Sequence, residues 1–297
     1  MSEPADKDYA IGTHRFTPGR PAPGLYLVAT PIGNLKDITI RALDILAGAD
    51  LILCEDTRHT ARLCEAYAIR TPRTALHEHN ERARIEGIVK RLEEGAAIAL
   101  VSDAGTPLLS DPGFPLVRAA READLPVFPV PGASALLAAL TGAGLPTDAF
   151  SFIGFLPAKT GQRKNALAPL AARTETLVFY ESPRRIAASL SDMAETFGPE
   201  RPAVVAMEIT KRFERFASGP LAELAADFDA DDPKGEAVIL VGGGDGSPPA
   251  AEGDWQDELA TLMSEKPLRA AVDDVAQKFG LRRKEVYNAA LGLKART

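Results

Sequence analysis

Short runs of consecutive apolar residues, each stopped by glycine, proline or a cluster of charge, alternate along the chain with segments whose apolar residues recur at helical spacing. Leu25 to Ala29, Leu51 to Cys54, Ala97 to Val101 and Val127 to Val130 are such runs, the pattern of strands buried on both faces of a parallel sheet. Between them, Ile38 to Leu46 and Pro115 to Ala123 read as helices. So does the segment running from the Pro131-Gly132-Ala133-Ser134 turn through Leu140. Ile85, Ile88, Val89 and Leu92 fall at i, i+3, i+4 and i+7 between an N-cap at Asn80 and a stop at Gly95, which predicts one more. This alternation predicts an α/β lobe over residues 24–143.

A second α/β lobe is expected over 144–242. An apolar segment begins at Phe152, strands are predicted at Thr176 to Tyr180, Ala203 to Ala206 and Glu236 to Val241, and a helix at Leu221 to Phe228. Residues 1–23 carry Pro4, Pro18, Pro21 and Pro23 with little apolar content and read as a mobile tail. Residues 243–253, with Pro248 and Pro249, read as a linker. Residues 254–297 hold three short helical patterns around Leu259, Leu262, Val272, Val275, Val286 and Leu291, the size of a helix-turn-helix module.

In open α/β sheets ligands bind beyond the carboxyl ends of strands, so the loops that end these runs are where chemistry is expected. The richest is the one after Val101, where Ser102, Asp103, Ala104, Gly105 and Thr106 lead into Pro107 and a second Ser-Asp pair. Thr30-Pro31-Ile32-Gly33-Asn34 follows the first run, its glycine admitting a close ligand. Amides opening the helix after Pro131 to Ser134 suit a carboxylate or polar ligand edge. Glu55, Asp56 and Arg58 concentrate charge after Cys54, although Asp56 equally suits a helix cap. Glu181 to Arg185 follows Tyr180; Glu208, Lys211 and Arg212 follow the Ala203 to Ala206 strand; Lys159, Arg163 and Lys164 gather after Pro157.

Composition narrows the classes. A net charge of −7 argues against indiscriminate nucleic-acid binding through a basic surface. Two cysteines suit a reducing cytoplasm and offer no metal cluster, and His77 and His79 lack further partners at ligand spacing, so no metal is expected. Neither a membrane span nor a secretory signal is visible. Dinucleotide, phosphate-loop and nucleophile-elbow glycine signatures are missing from the strand ends. From Lys266 onward, Lys266, Arg269, Lys278, Arg282, Arg283, Lys284, Lys294 and Arg296 face only Asp273, Asp274 and Glu285, a local basic bias.

In order, the chain presents LYLVATPIGNLKDIT, CEDTRHTARL, HEHNE, VSDAGTPLLSDPG, PGASA, GFLPAK, FYESPRR, EITK and KGEAVILV. With these segments it resembles the tetrapyrrole methylase superfamily, and within it the branch acting on ribosomal RNA. The resemblance implies two α/β domains holding S-adenosylmethionine in a cleft, a cytoplasmic homodimer, and 2′-O-methylation of a cytidine ribose in 16S ribosomal RNA, with the assembled small ribosomal subunit as the expected partner. It places the cofactor against Pro31, Gly33, Ser102 to Thr106, Pro131, Gly132, Ala133, Ser134, Tyr180, Lys234, Gly235 and Glu236. Ala133 stands where many relatives have proline, Met207 where arginine is frequent, and Arg184 where histidine is common.

A ribose hydroxyl is a poor nucleophile at neutral pH, so a positioned base would help, and Glu55, Asp56 and Glu208 are the candidates. Arg58, Arg185 and Lys211 are expected to bind RNA phosphates, with Lys159, Arg163 and Lys164 as a further basic cluster. Competing expectations are a tetrapyrrole or protein acceptor, and a non-catalytic DNA-binding protein reading duplex through its terminal helices.

Overall fold

A computed structural model describes residues 7–77, 80–230, 235–244, 246, 255–279, 281 and 283–294. Strands are β1 (Tyr9–Ile11), β2 (His14–Phe16), β3 (Gly24–Val28), β4 (Leu51–Cys54), β5 (Arg73–Ala75), β6 (Ala97–Leu100), β7 (Val127–Val130), β8 (Phe150–Phe155), β9 (Thr176–Glu181), β10 (Pro202–Met207), β11 (Arg215–Pro220) and β12 (Ala237–Val241). Helices are α1 (Ile40–Gly48), α2 (Thr57–Ala66), α3 (Glu81–Glu93), α4 (Phe114–Glu122), α5 (Ala135–Gly142), α6 (Thr160–Leu167), α7 (Ile186–Phe197), α8 (Leu221–Asp229), α9 (Trp255–Glu265), α10 (Leu268–Phe279) and α11 (Arg283–Lys294).

The chain divides into two units, residues 1–139 with 208–215, and 140–207 with 216–297. The first is built on a sheet of order β5-β4-β6-β3-β7, whose pairs are all parallel. Every residue of β4 and β6 is buried, as their unbroken apolar runs require for a sheet packed on both faces. One face carries Tyr26, Leu43, Leu46, Ile52 and Cys64; the other carries Leu25, Leu53, Ile88, Ile98 and Leu116. Because all strands run the same way, the loops after β3, β4, β6 and β7 emerge at one edge, the placement on which ligand sites of open α/β sheets depend.

The second unit is a mixed sheet of order β11-β10-β12-β9-β8, with β9 parallel to β8 and antiparallel to β12. Its core gathers Leu177, Phe179, Val205, Ile239, Leu190 and Phe228. Helices α9, α10 and α11 enclose a cluster of their own, with Leu259, Val272, Val275, Phe279 and Val286 at its centre.

Three expectations change. The segment read as a mobile tail holds the antiparallel hairpin β1-β2, and Tyr9 is 1% exposed in the core. Burial and the neighbouring Asp44 push its phenol up to about 12. Lys7 Nζ donates to the carbonyls ending α1, Gly48 at 2.8 Å and Ala49 at 3.1 Å. Strands this short leave no readable alternation.

The boundary expected at 143/144 falls at 139/140, and residues 208–215 return to the first unit. Left-handed backbone at Glu208 (φ 50°) and Thr210 (φ 68°) turns the chain there.

The expected linker begins with packed backbone. Just before it Gly242 N donates to Pro202 O at 2.8 Å, and within it Gly244 N donates to Arg173 O at 2.7 Å. A Cβ at Gly243 would lie 1.7 Å from Thr174 O, so only glycine fits. The rest of that segment, Gly246 apart, lies outside the described residues.

Candidate active site

In the first unit, hydrogen bonds join loops that are far apart in sequence. Thr30 N donates to Gly105 O at 2.9 Å and Gly105 N returns to Thr30 O at 3.0 Å, closing the loop after β3 onto the loop after β6. Gly105 sits at φ 78° with its open side 3.2 Å from Ile32 Cγ2, a conformation that disfavours any side chain. Thr106 Oγ1 donates to Ala133 O at 3.2 Å, adding the loop after β7, where Ser134 Oγ accepts from Leu137 N as α5 begins. Pro31, Gly33, Ser102 to Thr106 and Pro131 to Ser134 thus form one edge.

Carboxylates converge beside it. The backbone amide of Asp56 donates to Asp103 Oδ1 at 3.1 Å, fixing the loop after β4 to the loop after β6. Burial, then the charge of Asp103, raises the carboxyl of Glu55, partly opposed by His77. Asp111, from the second Ser-Asp pair, is pushed up to about 6 by burial, by Glu55 and by Asp103, against a hydrogen bond from Ser102. The loop carrying it has left-handed backbone at Leu108 (φ 74°) and Ser110 (φ 70°), strain of the kind that persists where the surrounding structure holds it. Sequence reasoning missed Asp111 as a site residue, although the repeated Ser-Asp pair was its signal.

Asp56 is the cap its alternative reading described. Its Oδ1 accepts from Arg58 N at 2.8 Å at the start of α2, and its carboxylate chelates the Arg58 guanidinium at 3.2 and 2.9 Å. Those bonds hold it down to about 2, where it makes a poor proton acceptor at neutral pH. Glu208 accepts from Lys211 Nζ at 2.9 Å, and the Lys211 stem lies over Gly33, so that a Cβ there would meet Lys211 Cγ and Cε at 2.6 Å.

The second unit corrects the basic cluster. Arg163 is 3% exposed, its Nε 2.6 Å from Asp192 Oδ2, with further donation to Ala158 O and Ala188 O. A guanidinium so buried holds α6 to α7 and is removed from the expected RNA contacts. Lys164 pairs with Glu195 and lies 3.8 Å from Asp192. Lys159 remains exposed.

Arg185 also turns inward, donating to Leu156 O at 2.7 Å and Pro157 O at 3.1 Å, 3.3 Å from the buried carboxylate of Glu181. Glu181 in turn accepts from Ser182 N at 2.8 Å and Ser189 Oγ at 2.6 Å. Arg185 is therefore a brace of the FYESPRR turn rather than an open phosphate ligand. Tyr180 packs edge-on to Phe152 and Phe155. Gly235 takes φ 89° before Glu236; Lys234 lies outside the described residues.

In the C-terminal helices, Lys266 pairs with Asp274 at 2.6 Å and Arg283 with Asp273, so two of the cations in its basic bias are neutralised within the module. Arg282 and Arg296, and the side chains of Lys278 and Lys294, lie outside the described residues. Among the described residues no cluster of His, Cys, Asp and Glu is arranged to hold a metal ion, and no helix is long and apolar enough to cross a membrane.

Residues 24–225 match the family model of Tetrapyrrole (Corrin/Porphyrin) Methylases, and residues 249–294 that of the RsmI C-terminal HTH domain. The chain is 48% identical over 283 residues to Ribosomal RNA small subunit methyltransferase I of Mesorhizobium japonicum, covering 93% of this chain and 95% of that protein. To the protein of the same name from Vibrio cholerae it is 49% identical over 276 residues, 91% and 95% of the two chains. Among solved structures, the methyltransferase CobJ superposes with a TM-score of 0.56 at 22% identity, over 74% of this chain and 94% of that one. Uroporphyrin-III C-methyl transferase from Thermus thermophilus, complexed with S-adenyl homocysteine, gives 0.51 at 21% identity, over 75% and 97%. At these identities the structural likeness is one of fold.

Proposed function

Because the chain belongs to the ribosomal RNA small subunit methyltransferase I family of tetrapyrrole methylases, we propose that it methylates the ribose 2′-hydroxyl of a cytidine in 16S ribosomal RNA, using S-adenosylmethionine. The observation that carries this reading is the convergence of Glu55, Asp103 and Asp111 beside loops closed by the Thr30 to Gly105 bridge. Carboxylates concentrated at a glycine-lined strand edge fit a cationic donor, which neutralises part of their mutual repulsion. When bound, that donor supplies an activated methyl group on a sulfonium.

The protein's own residues then align and deprotonate the acceptor. Pro31, Gly33, Ser102 to Thr106 and Pro131 to Ser134 form the edge proposed to hold the donor. Glu55 is the base in this reading, since burial raises its proton affinity while Asp56 is held at about 2 by Arg58. Glu208 is already engaged by Lys211. Exposed Lys159 and Arg58 remain the outward-facing candidates for phosphate contact, and such contacts make affinity fall with salt. The working form is read as a homodimer in the cytoplasm acting on the assembled small subunit, with no metal.

Single-turnover methylation of reconstituted small subunits, with the methylated ribose mapped, tests this. Glu55→Gln is expected to lower the rate about 100-fold or more, and Asp56→Asn far less. A full rate in Glu55→Gln removes the base; methyl groups on a nucleobase or on no RNA remove the reaction.

A further inference from the structure

Phe213 is 72% exposed, the most exposed large apolar side chain among the described residues. It stands on the turn 208–215, and that turn is held firmly. Lys211 N donates to Glu208 O at 2.9 Å, Glu214 N to Lys211 O at 3.2 Å, and Thr210 N to the Glu214 carboxylate at 2.6 Å. Two residues before Phe213, the Lys211 stem lies over Gly33 in the loop after β3. The left-handed backbone at Glu208 and Thr210 is maintained by these bonds, which hold the backbone that carries the ring. Burial would reward a phenyl ring, and this one lies in water.

Its neighbour shows what it suits. The guanidinium carbon of Arg212 lies 5.4 Å from the Phe213 ring centroid, and Arg212 makes no ion pair among the described residues. An apolar protein surface closing over the ring would bury that charge without a counter-ion, at a cost. A nucleic acid brings both complements together, a flat π-face for the ring and a phosphate for the guanidinium. Unpaired RNA bases are held in this way, by stacking on aromatic side chains and arginine planes.

We propose that Phe213 and Arg212 form a stacking platform for an unpaired base of the RNA substrate, on a turn that packs against the loop after β3, part of the edge proposed to hold the donor. This rests on the RNA reading above and adds how the substrate strand is gripped: a ribose hydroxyl within a stacked helix is shielded, and a base stacked on Phe213 keeps the strand splayed. The platform is tolerant of base identity, since every base offers a π-face.

The experiment uses the full-length protein with reconstituted small subunits and, separately, a single-stranded RNA carrying 2-aminopurine, whose fluorescence is quenched on stacking. Phe213→Ala is expected to raise the KM for subunits about tenfold or more with kcat little changed, and to abolish the quenching. Phe213→Trp should restore both, and S-adenosylmethionine binding by calorimetry should be the same in all three proteins. Methyl transfer with an unchanged subunit KM in Phe213→Ala overturns the platform and leaves the reaction standing. Ring-dependent quenching without methyl transfer by the unsubstituted protein overturns the reaction and leaves the platform. Loss of donor binding, or a shift from dimer to monomer in sedimentation of Phe213→Ala, assigns the ring to the donor or to a second copy and overturns the proposal.

Discussion

Glu81 Oε1 accepts the backbone amide of Leu116 at 3.2 Å, so the carboxylate that opens α3 also caps the first turn of α4. Glu81 is 4% exposed, and Gly113, which precedes α4, offers no side-chain cap. The bond ties HEHNE to the end of the Asp111 loop. Glu81→Ala leaves a buried helix-terminal amide unsatisfied and is expected to lower stability by about 1 to 3 kcal/mol in urea unfolding, with Glu81→Gln losing less. Equal losses in the two variants would show that acceptance by the side-chain oxygen of residue 81 is not what stabilises the start of α4.

Arg163 and Asp192 form a pair in which both side chains are almost fully buried. Removing one partner strands a charge, so Asp192→Ala is expected to cost about 3 to 5 kcal/mol. Replacing both by apolar residues of similar volume should restore most of that stability, and the salt dependence of RNA binding should match that of the parent protein. A reduced salt slope in the double variant would return Arg163 to the RNA surface.

Asp111 supplies a pH dependence whose sign is determined by its raised pKa. The folded state holds the proton up to about 6, whereas an ordinary aspartate releases it near 3.8. The folded protein therefore binds more protons between those values, and stability from this group falls as pH rises through about 6. Asp111→Asn is expected to be more stable than the parent at about pH 7, on the order of 1 kcal/mol once solvent screening is allowed for, and equal to it near pH 4. Urea midpoints at the two pH values measure this; a variant less stable at the higher pH would mean that ionised Asp111 has a favourable partner.

Gly243 lies in what composition presents as the start of a linker. The only direction for a Cβ runs into the Thr174 carbonyl, a backbone group that cannot rotate away. Gly243→Ala is expected to destabilise the second unit by about 2 kcal/mol or more, whereas Gly292→Ala, with open space around it, should stabilise α11 slightly. Thermal unfolding of the two single variants separates them.

Much of the first unit was legible because its strands are buried on both sides and therefore consist of unbroken apolar residues; β4 and β7 end where the sequence pattern ends. The hairpin β1-β2 and strand β5, three residues each, were not, since so short a strand carries no period. Strand β11 escaped for another reason: its residues are half-buried or exposed, and RFASGP lacks an apolar face to read. Asn80 sits at the N-cap position as its residue type suggests, yet its side chain accepts from His77 N instead of capping α3.

The chain's own letters determined where strands stop, which loops carry glycine and acid, and the ordered segments that tie it to its family, because those are properties of neighbours along the backbone. Only folding decided which charges face water. Arg163 and Lys159 are four residues apart and alike in sequence, but one meets Asp192 across α7 and the other meets solvent. Asp111 and Asp56 are the same residue type, yet one is pushed up to about 6 where it is enclosed with Glu55 and Asp103, while the other is held down to about 2 where it chelates Arg58. Proton affinity and exposure are set by what approaches through space, and that is decided when the strand-end loops are brought to one edge.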